Sequence, residues 1–160
     1  TGVMEGGSFA WLNDKTCAIG VGVRVNREGA AQVGEVLARQ GVELLVVDLP
    51  GYDIHLDVSF LMIDRDLALI DPQGLPYSFL EELAKRGIKT IEIGPGDDGW
   101  IVNSLAIAPG KLIMADGATN RTLDRLAAAG VTVINQPFAA MHLNGGGLHC
   151  STTPLRRDPV

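Results

Sequence analysis

Short apolar runs alternate with polar turns along this chain, in an order that recurs three times. Phe9 to Leu12 reads as a strand, Asn13-Asp14-Lys15 as a turn and Cys17 to Val21 as a second strand. From about Glu28 to Gln40, Ala31, Val33, Val36 and Leu37 form an apolar stripe at helical spacing. Gly41 stops that helix, and Val42 to Val47 reads as a buried strand. The second pass has strands at Phe60 to Ile63 and Leu67 to Ile70 around an Asp64-Arg65-Asp66 turn. Ser78 is the expected cap of a helix striped by Leu80, Leu83 and Ala84; Gly87 ends it, and Thr90 to Ile93 is the next strand. The third pass runs Leu105 to Ala108, a Pro109-Gly110 turn, Leu112 to Ala115, a helix from about Thr119, Gly130, and Val131 to Ile134.

The stopping glycines stand at 41, 87 and 130, separated by 46 and 43 residues. One grammar at a nearly fixed period is an internal repeat. A strand-turn-strand-helix-strand unit cannot cover its own sheet, so neighbouring units must stack about a common axis. The pattern therefore predicts an α/β ring of propeller-like modules. The hairpin before each helix argues against a simple doubly wound sheet. Two connections stand apart: Gly94 to Gly99 between the second and third units, and a longer stretch from Pro137 to Gly147 that leads to Cys150.

The 160 residues suffice for one domain with a real core, and 46% hydrophobic with 20% charged residues is ordinary globular composition. The net charge of -6 argues against nucleic acid or an anionic membrane as partner, and it would not repel a small cation. No run is apolar for long enough to cross a bilayer. The two cysteines, Cys17 and Cys150, make no disulfide framework, so a reducing, cytoplasmic setting is the default expectation.

Polar residues gather in the joints between units. Glu5-Gly6-Gly7-Ser8 precedes the first strand, His55-Leu56-Asp57 the second unit and Asn103-Ser104 the third; Gly147-Leu148-His149-Cys150 follows it. In a ring, equivalent joints lie at one end and converge on the axis. Glu5, His55, Asp57, Asn103 and Cys150 are thus expected to meet. Cys150 is a candidate nucleophile or, alternatively, a small buried filler. A nearby imidazole can lower a thiol pKa or carry its proton, and His55 fits acid/base work. In His-Leu-Asp the two polar side chains share a side if the stretch is extended. Glu5 can orient His55 or, with Asp57, hold a cation, and paired carboxylates suit a guanidinium. A metal site is disfavoured, because His142, His149 and Cys150 lack a usual zinc spacing.

Glu-Gly-Gly near the start, His-x-Asp in the middle and Gly-Gly-Gly-x-His-Cys at the end resemble the guanidino-group-modifying enzymes. That superfamily includes arginine deiminase, dimethylarginine dimethylaminohydrolase, agmatine deiminase and the amidinotransferases. The resemblance runs from Glu5 to about Arg157. It implies a pentein-type α/β propeller of five units, of which residues 1–160 hold about three, as the C-terminal part of one catalytic domain. The remaining N-terminal units are then expected on a longer polypeptide or a second chain. The resemblance also implies attack by Cys150 on the guanidinium carbon to form a covalent thiouronium-type intermediate. His55 would serve as acid and then base, with Glu5 orienting it or binding the guanidinium. Asp57, Arg24, Asn103 and Ser8 would bind substrate, Arg24 through a substrate carboxylate. No cofactor and no metal are implied; the expected partner is a small guanidino compound, and a homodimer is compatible. The motifs mix subfamilies. Ser8 looks like agmatine deiminases and His149 like amidinotransferases and agmatine deiminases, whereas Arg24 and the residues after it look like dimethylarginine hydrolases. The reading is a guanidino C–N hydrolase, with an amidinotransferase as the alternative. A non-catalytic binding module, such as a ribosome-binding translation factor of the same fold, is a third.

Overall fold

Each predicted unit folds as a small three-stranded sheet with one helix. The structure, a computed structural model, describes residues 1–155, so Arg157 and the end of the 1–160 domain lie outside the described residues. The first unit is β1 (Phe9–Asn13), β2 (Thr16–Val21), α1 (Arg27–Ala38) and β3 (Glu43–Asp48). The second is β4 (Phe60–Asp64), β5 (Leu67–Ile70), α2 (Tyr77–Lys85) and β6 (Lys89–Glu92). The third is β7 (Leu105–Ala108), β8 (Lys111–Ala115), α3 (Asn120–Ala128) and β9 (Thr132–Gln136), followed by a short α4 (Ala139–His142).

In every unit the middle strand pairs antiparallel with the first and parallel with the third, as a hairpin followed by a helical crossover requires. The hairpins even share an irregularity near the turn, between Trp11 and Asn13, Met62 and Asp64, and Ala106 and Ala108. Gly41, Gly87 and Gly130 follow the three helices at φ of 71°, 74° and 81°, the left-handed conformation that ends a helix without a Cβ penalty.

The units stack so that helices and sheets alternate. Leu37, Ala30 and Val33 of α1 pack on Cys17, Ile19 and Phe9 of the first sheet. The other face of that sheet, with Leu12, Ala18 and Val47, meets Phe79 and Leu83 of α2. Helix α2 in turn covers Phe60, Ala68 and Ile70 of the second sheet. The far face of the second sheet, Leu61, Ile63, Leu69 and Ile91, packs with Leu126 of α3 and with Leu112 and Met114 of the third sheet. Leu83 and Leu126 are fully buried between sheets. Removing either side chain to Ala would cost about 2–5 kcal/mol.

Several local expectations shift. Ser78 does not cap α2; the cap position is Pro76, held extended and supplying no side-chain bond, with Ser78 inside the first turn. The buried stripe of α1 is Ala30, Val33 and Leu37, while Ala31 and Val36 face outward. Val33 and Leu37 belong to both stripes, and the docking angle on the sheet turns Ala30 inward in place of Ala31 and Val36. Strand β3 is an edge with only Val47 buried, not a buried strand, because no fourth strand among the described residues follows it in the sheet. Helix α4 occupies part of the Pro137–Gly147 connection, and its His142 ring stacks on Trp100 with centroids 5.0 Å apart.

Candidate active site

Three 3-10 turns, Gly6–Ser8, Leu56–Val58 and Gly99–Ile101, stand just before β1, β4 and β7 and carry the joint residues inward. The His55-Leu56-Asp57 stretch is therefore not extended throughout: His55 is extended, and the turn begins at Leu56, which is fully buried. Both polar side chains still reach the same spot. A Cβ at Gly7 would lie 2.8 Å from His55 Nδ1 and 3.2 Å from Asp57 Oδ1, so only glycine leaves both in place.

Glu5 binds His55 directly, with Oε2 2.6 Å from Nε2. Its other oxygen takes an N–H of the exposed Arg24 guanidinium at 3.4 Å. The Ser8 hydroxyl is fully buried and reaches the Ile54 carbonyl at 3.5 Å, bracing the backbone that delivers His55.

Asp57 is the centre of the second group. Its carboxylate is 5% exposed. Oδ2 lies 2.8 Å from His149 Nδ1 and 3.6 Å from the Cys150 thiol, which donates to it. Oδ1 is buried with no hydrogen-bond partner among the described residues. A buried carboxylate oxygen left without a donor is costly in an apo protein and is what a cationic N–H donor would satisfy.

Asn103 ties these residues together from below. Its Nδ2 donates to the Asp57 carbonyl at 3.1 Å, its Oδ1 accepts the Cys150 backbone N–H at 3.2 Å, and its own carbonyl accepts the His149 N–H at 3.0 Å. With the side chain fully buried and both ends of the amide engaged by backbone, Asn103 is arranged to hold the loop. Gly147 lies against it; a Cβ there would sit 2.4 Å from Asn103 Oδ1.

Cys150 reaches the surface, while Cys17 is buried among apolar side chains in the first unit. Burial of its inner side pushes the Cys150 thiol pKa up. Hydrogen bonds from the Gly147 backbone and Asn103 act in the opposite direction, and the Asp57 charge adds to the rise. The free thiol is thus held protonated, and its close partner is a carboxylate; no hydrogen bond joins it to His55 among the described residues. The seven expected residues fall into two linked sets. Glu5, Arg24, His55 and Ser8 form one, and Asp57, Asn103 and Cys150 the other, with Gly7 between them. His149 joins the second set without having been assigned a role from the sequence; its position beside the thiol was the available signal.

The sequence pattern of the family described as arginine deiminase matches residues 1–85. Arginine deiminase of Mycobacterium marinum is 28% identical, over 100% of this chain and 48% of its own length. That of Latilactobacillus sakei subsp. sakei is also 28% identical, over 98% and 48%. The chain spans about half the length of the curated relatives it matches. Among solved structures, a mutant of dimethylarginine dimethylaminohydrolase from Pseudomonas aeruginosa complexed with citrulline superposes with a TM-score of 0.77. The identity is 23%, over 93% of this chain and 55% of that one. Inosamine-phosphate amidinotransferase from Streptomyces griseus gives 0.81 at 18% identity, over 99% and 48%. These likenesses show the fold: a pentein-type α/β propeller, of which this chain supplies about half of each neighbour.

Proposed function

The chain belongs to the arginine deiminase family, within the guanidino-modifying superfamily, and from that premise we propose that it carries the nucleophile and the acid/base of a cysteine-dependent hydrolase acting on an arginine-like guanidino group. The observation that carries the reading is the state of Asp57. One of its oxygens faces the Cys150 thiol, and the other is buried without a partner among the described residues.

A guanidinium donating to Oδ1 would bring its central carbon beside Cys150. Its positive charge offsets the Asp57 charge that disfavours the thiolate, so binding itself favours ionisation of the thiol. The thiol proton goes to solvent and Sγ bonds to the guanidinium carbon. The C–N bond then breaks as His55, oriented by Glu5, gives a proton to the departing amine. A thiouronium remains on Cys150. Water adds to its carbon with His55 taking the proton, the S–C bond breaks, and a ureido product leaves with the thiolate restored. In this scheme Asn103 positions Asp57 and Cys150 rather than binding substrate. Arg24, exposed beside Glu5, is the candidate for a substrate carboxylate.

The amidinotransferase reading uses the same intermediate with an acceptor amine in place of water. The naming of the sequence relatives as arginine deiminases weighs toward water. The assembled Cys150, Asp57 and His55 cluster weighs against a purely binding role.

The test is labelling by a haloamidine, a cationic guanidinium mimic whose halide is displaced by a thiolate, read by intact mass and peptide mapping. We expect one adduct, on Cys150 and absent from Cys17. Replacing Asp57 with Asn is expected to slow that labelling at least about tenfold, because the anionic anchor is gone. Equal labelling of both cysteines, or an unchanged rate in Asp57→Asn, overturns the reading. Release of ammonia and a ureido product from arginine without any added amine then separates hydrolase from transferase.

A further inference from the structure

The donors on Asp57 are unevenly shared. Oδ2 takes two, His149 Nδ1 at 2.8 Å and the Cys150 thiol at 3.6 Å, while Oδ1 takes none among the described residues. A carboxylate oxygen offers about two acceptor positions, so Oδ2 is filled and Oδ1 is free. With Asp57 ionised, His149 must carry its proton on Nδ1 to donate. The His149 backbone is fixed as well, through its N–H on the Asn103 carbonyl.

We propose that His149 is a positioning residue that holds Asp57 in a one-oxygen presentation, with Oδ2 committed to the thiol side and Oδ1 alone offered to the substrate cation. This rests on the guanidino reading above. A symmetric fork, with two guanidinium N–H groups on two carboxylate oxygens, is closed to the arriving substrate while His149 and the still protonated thiol together fill Oδ2, and after the thiol ionises His149 keeps one of the two positions there. The single-oxygen contact instead lets the guanidinium carbon sit toward Sγ rather than in line with the carboxylate. Without His149 the carboxylate is free to turn, form the symmetric fork and draw the carbon away from the nucleophile. Asp57 is the charged partner of the imidazole among the described residues, and Cys150 shares its Oδ2; Glu5, His55 and Arg24 are joined to one another on the Gly7 side of Asp57.

Two variants separate this role from simple loop support. His149→Ala removes the donor, and His149→Asn keeps an amide N–H near the place of Nδ1. Each is labelled at Cys150 with a haloamidine and, separately, with neutral iodoacetamide, which needs no cation site. The readout is the ratio of the two rates. We expect the ratio to fall about tenfold in His149→Ala, as for a reacting carbon misplaced by a fraction of an ångström, and to return to within about threefold of the parent in His149→Asn. A loop that has merely loosened changes both rates together and leaves the ratio alone, and that result overturns the proposal. So does a failure of Asn to restore the ratio that Ala lost. If the parent shows no preference for the haloamidine at all, the guanidino reading has failed. The positioning role is then judged by iodoacetamide alone. Loss of the donor exposes Sγ to a less neutralised carboxylate, so the alkylation profile must move to higher pH in Ala and back in Asn; an unmoved profile overturns it.

Discussion

Single residues here differ most in what surrounds their titrating atoms. Cys17 is fully buried, and burial pushes its thiol from an ordinary 9.0 up to about 11. Between those values the unfolded chain has lost the proton and the folded chain keeps it. The folded state then binds more protons, so stability falls as pH rises through that window and is fully present below it. We expect the stability difference between parent and Cys17→Ala, measured by urea unfolding, to be constant up to about pH 8 and to shift in favour of the variant by pH 10. A difference that does not change with pH would show that the thiol ionises freely in the folded state. At this scale the sequence was informative about identity and weak about geometry. Glu5, His55, Asp57 and Cys150 were legible because they sit at matching joints of a repeat. The partner of the thiol was not. A nearby imidazole can lower its pKa or carry its proton, whereas in the structure burial is the main cause of a raised thiol pKa and the side chain it meets is a carboxylate whose charge adds to the rise. That the neighbouring His149 turns inward depends on Asp57 and Asn103, which it meets only in three dimensions.

Elements are where the hydrophobic pattern is read most directly, and their ends are where it fades. The nine strands among the described residues and the first three helices follow from apolar spacing and glycine stops, whereas the α1 stripe includes the outward-facing Ala31 and Val36 and α4 has no counterpart in the pattern. Four residues of Ala-Ala-Met-His make no periodic signal, and α4 is held by the stack of His142 on Trp100 and its edge contact with Phe138 instead. The start of α1 shows what a cap contributes. Asn26 Oδ1 accepts from Gly29 N–H at 2.7 Å and from Val3 N–H at 3.0 Å, and its Nδ2 donates to the Thr1 carbonyl at 3.2 Å. One side chain thus begins the helix and fastens the segment that leads to Glu5. Asn26→Ala is expected to cost about 1–2 kcal/mol, read as a lowered urea midpoint at unchanged slope, and Asn26→Asp to recover most of it by keeping the acceptor. If Ala and Asp behave alike, the cap bond is not what holds this corner. Beyond stability, and on the proposed mechanism, loosening Glu5 should slow reaction at Cys150 less than it weakens the acid/base step assigned to His55, since Glu5 touches His55 and not the thiol.

At the scale of the molecule, the repeat states what each sheet face requires. Positions related by the repeat can be followed through the three sheets. Ala18, Leu69 and Ile113 occupy the same place in the middle strands, and Leu45, Ile91 and Ile134 the same place in the third strands. In the first two units this face is covered by the helix of the following unit, α2 or α3. In the third unit nothing among the described residues covers it. Ile134 is 41% exposed and Ile107 46%, against 5% for Ile91 and 1% for Ile63. Aliphatic side chains so exposed on a sheet face are a poor final surface for a protein in water. The layer order predicts that the helix of a further strand-strand-helix-strand unit lies there, which fits a chain that spans about half the length of its relatives. The 160-residue polypeptide by itself is therefore expected to bind a hydrophobic dye and to self-associate as its concentration rises. The double replacement Ile107→Lys and Ile134→Lys should reduce both without lowering the unfolding midpoint by more than about 1 kcal/mol equivalent, because both sites face water in this chain. The same pair placed in a polypeptide that includes the covering unit should have the opposite consequence, destabilising it by several kcal/mol through buried charge. A parent chain that stays monomeric and dye-free, or a pair of lysines tolerated equally in both settings, would show that this face is a surface in its own right and that the ring does not continue through it.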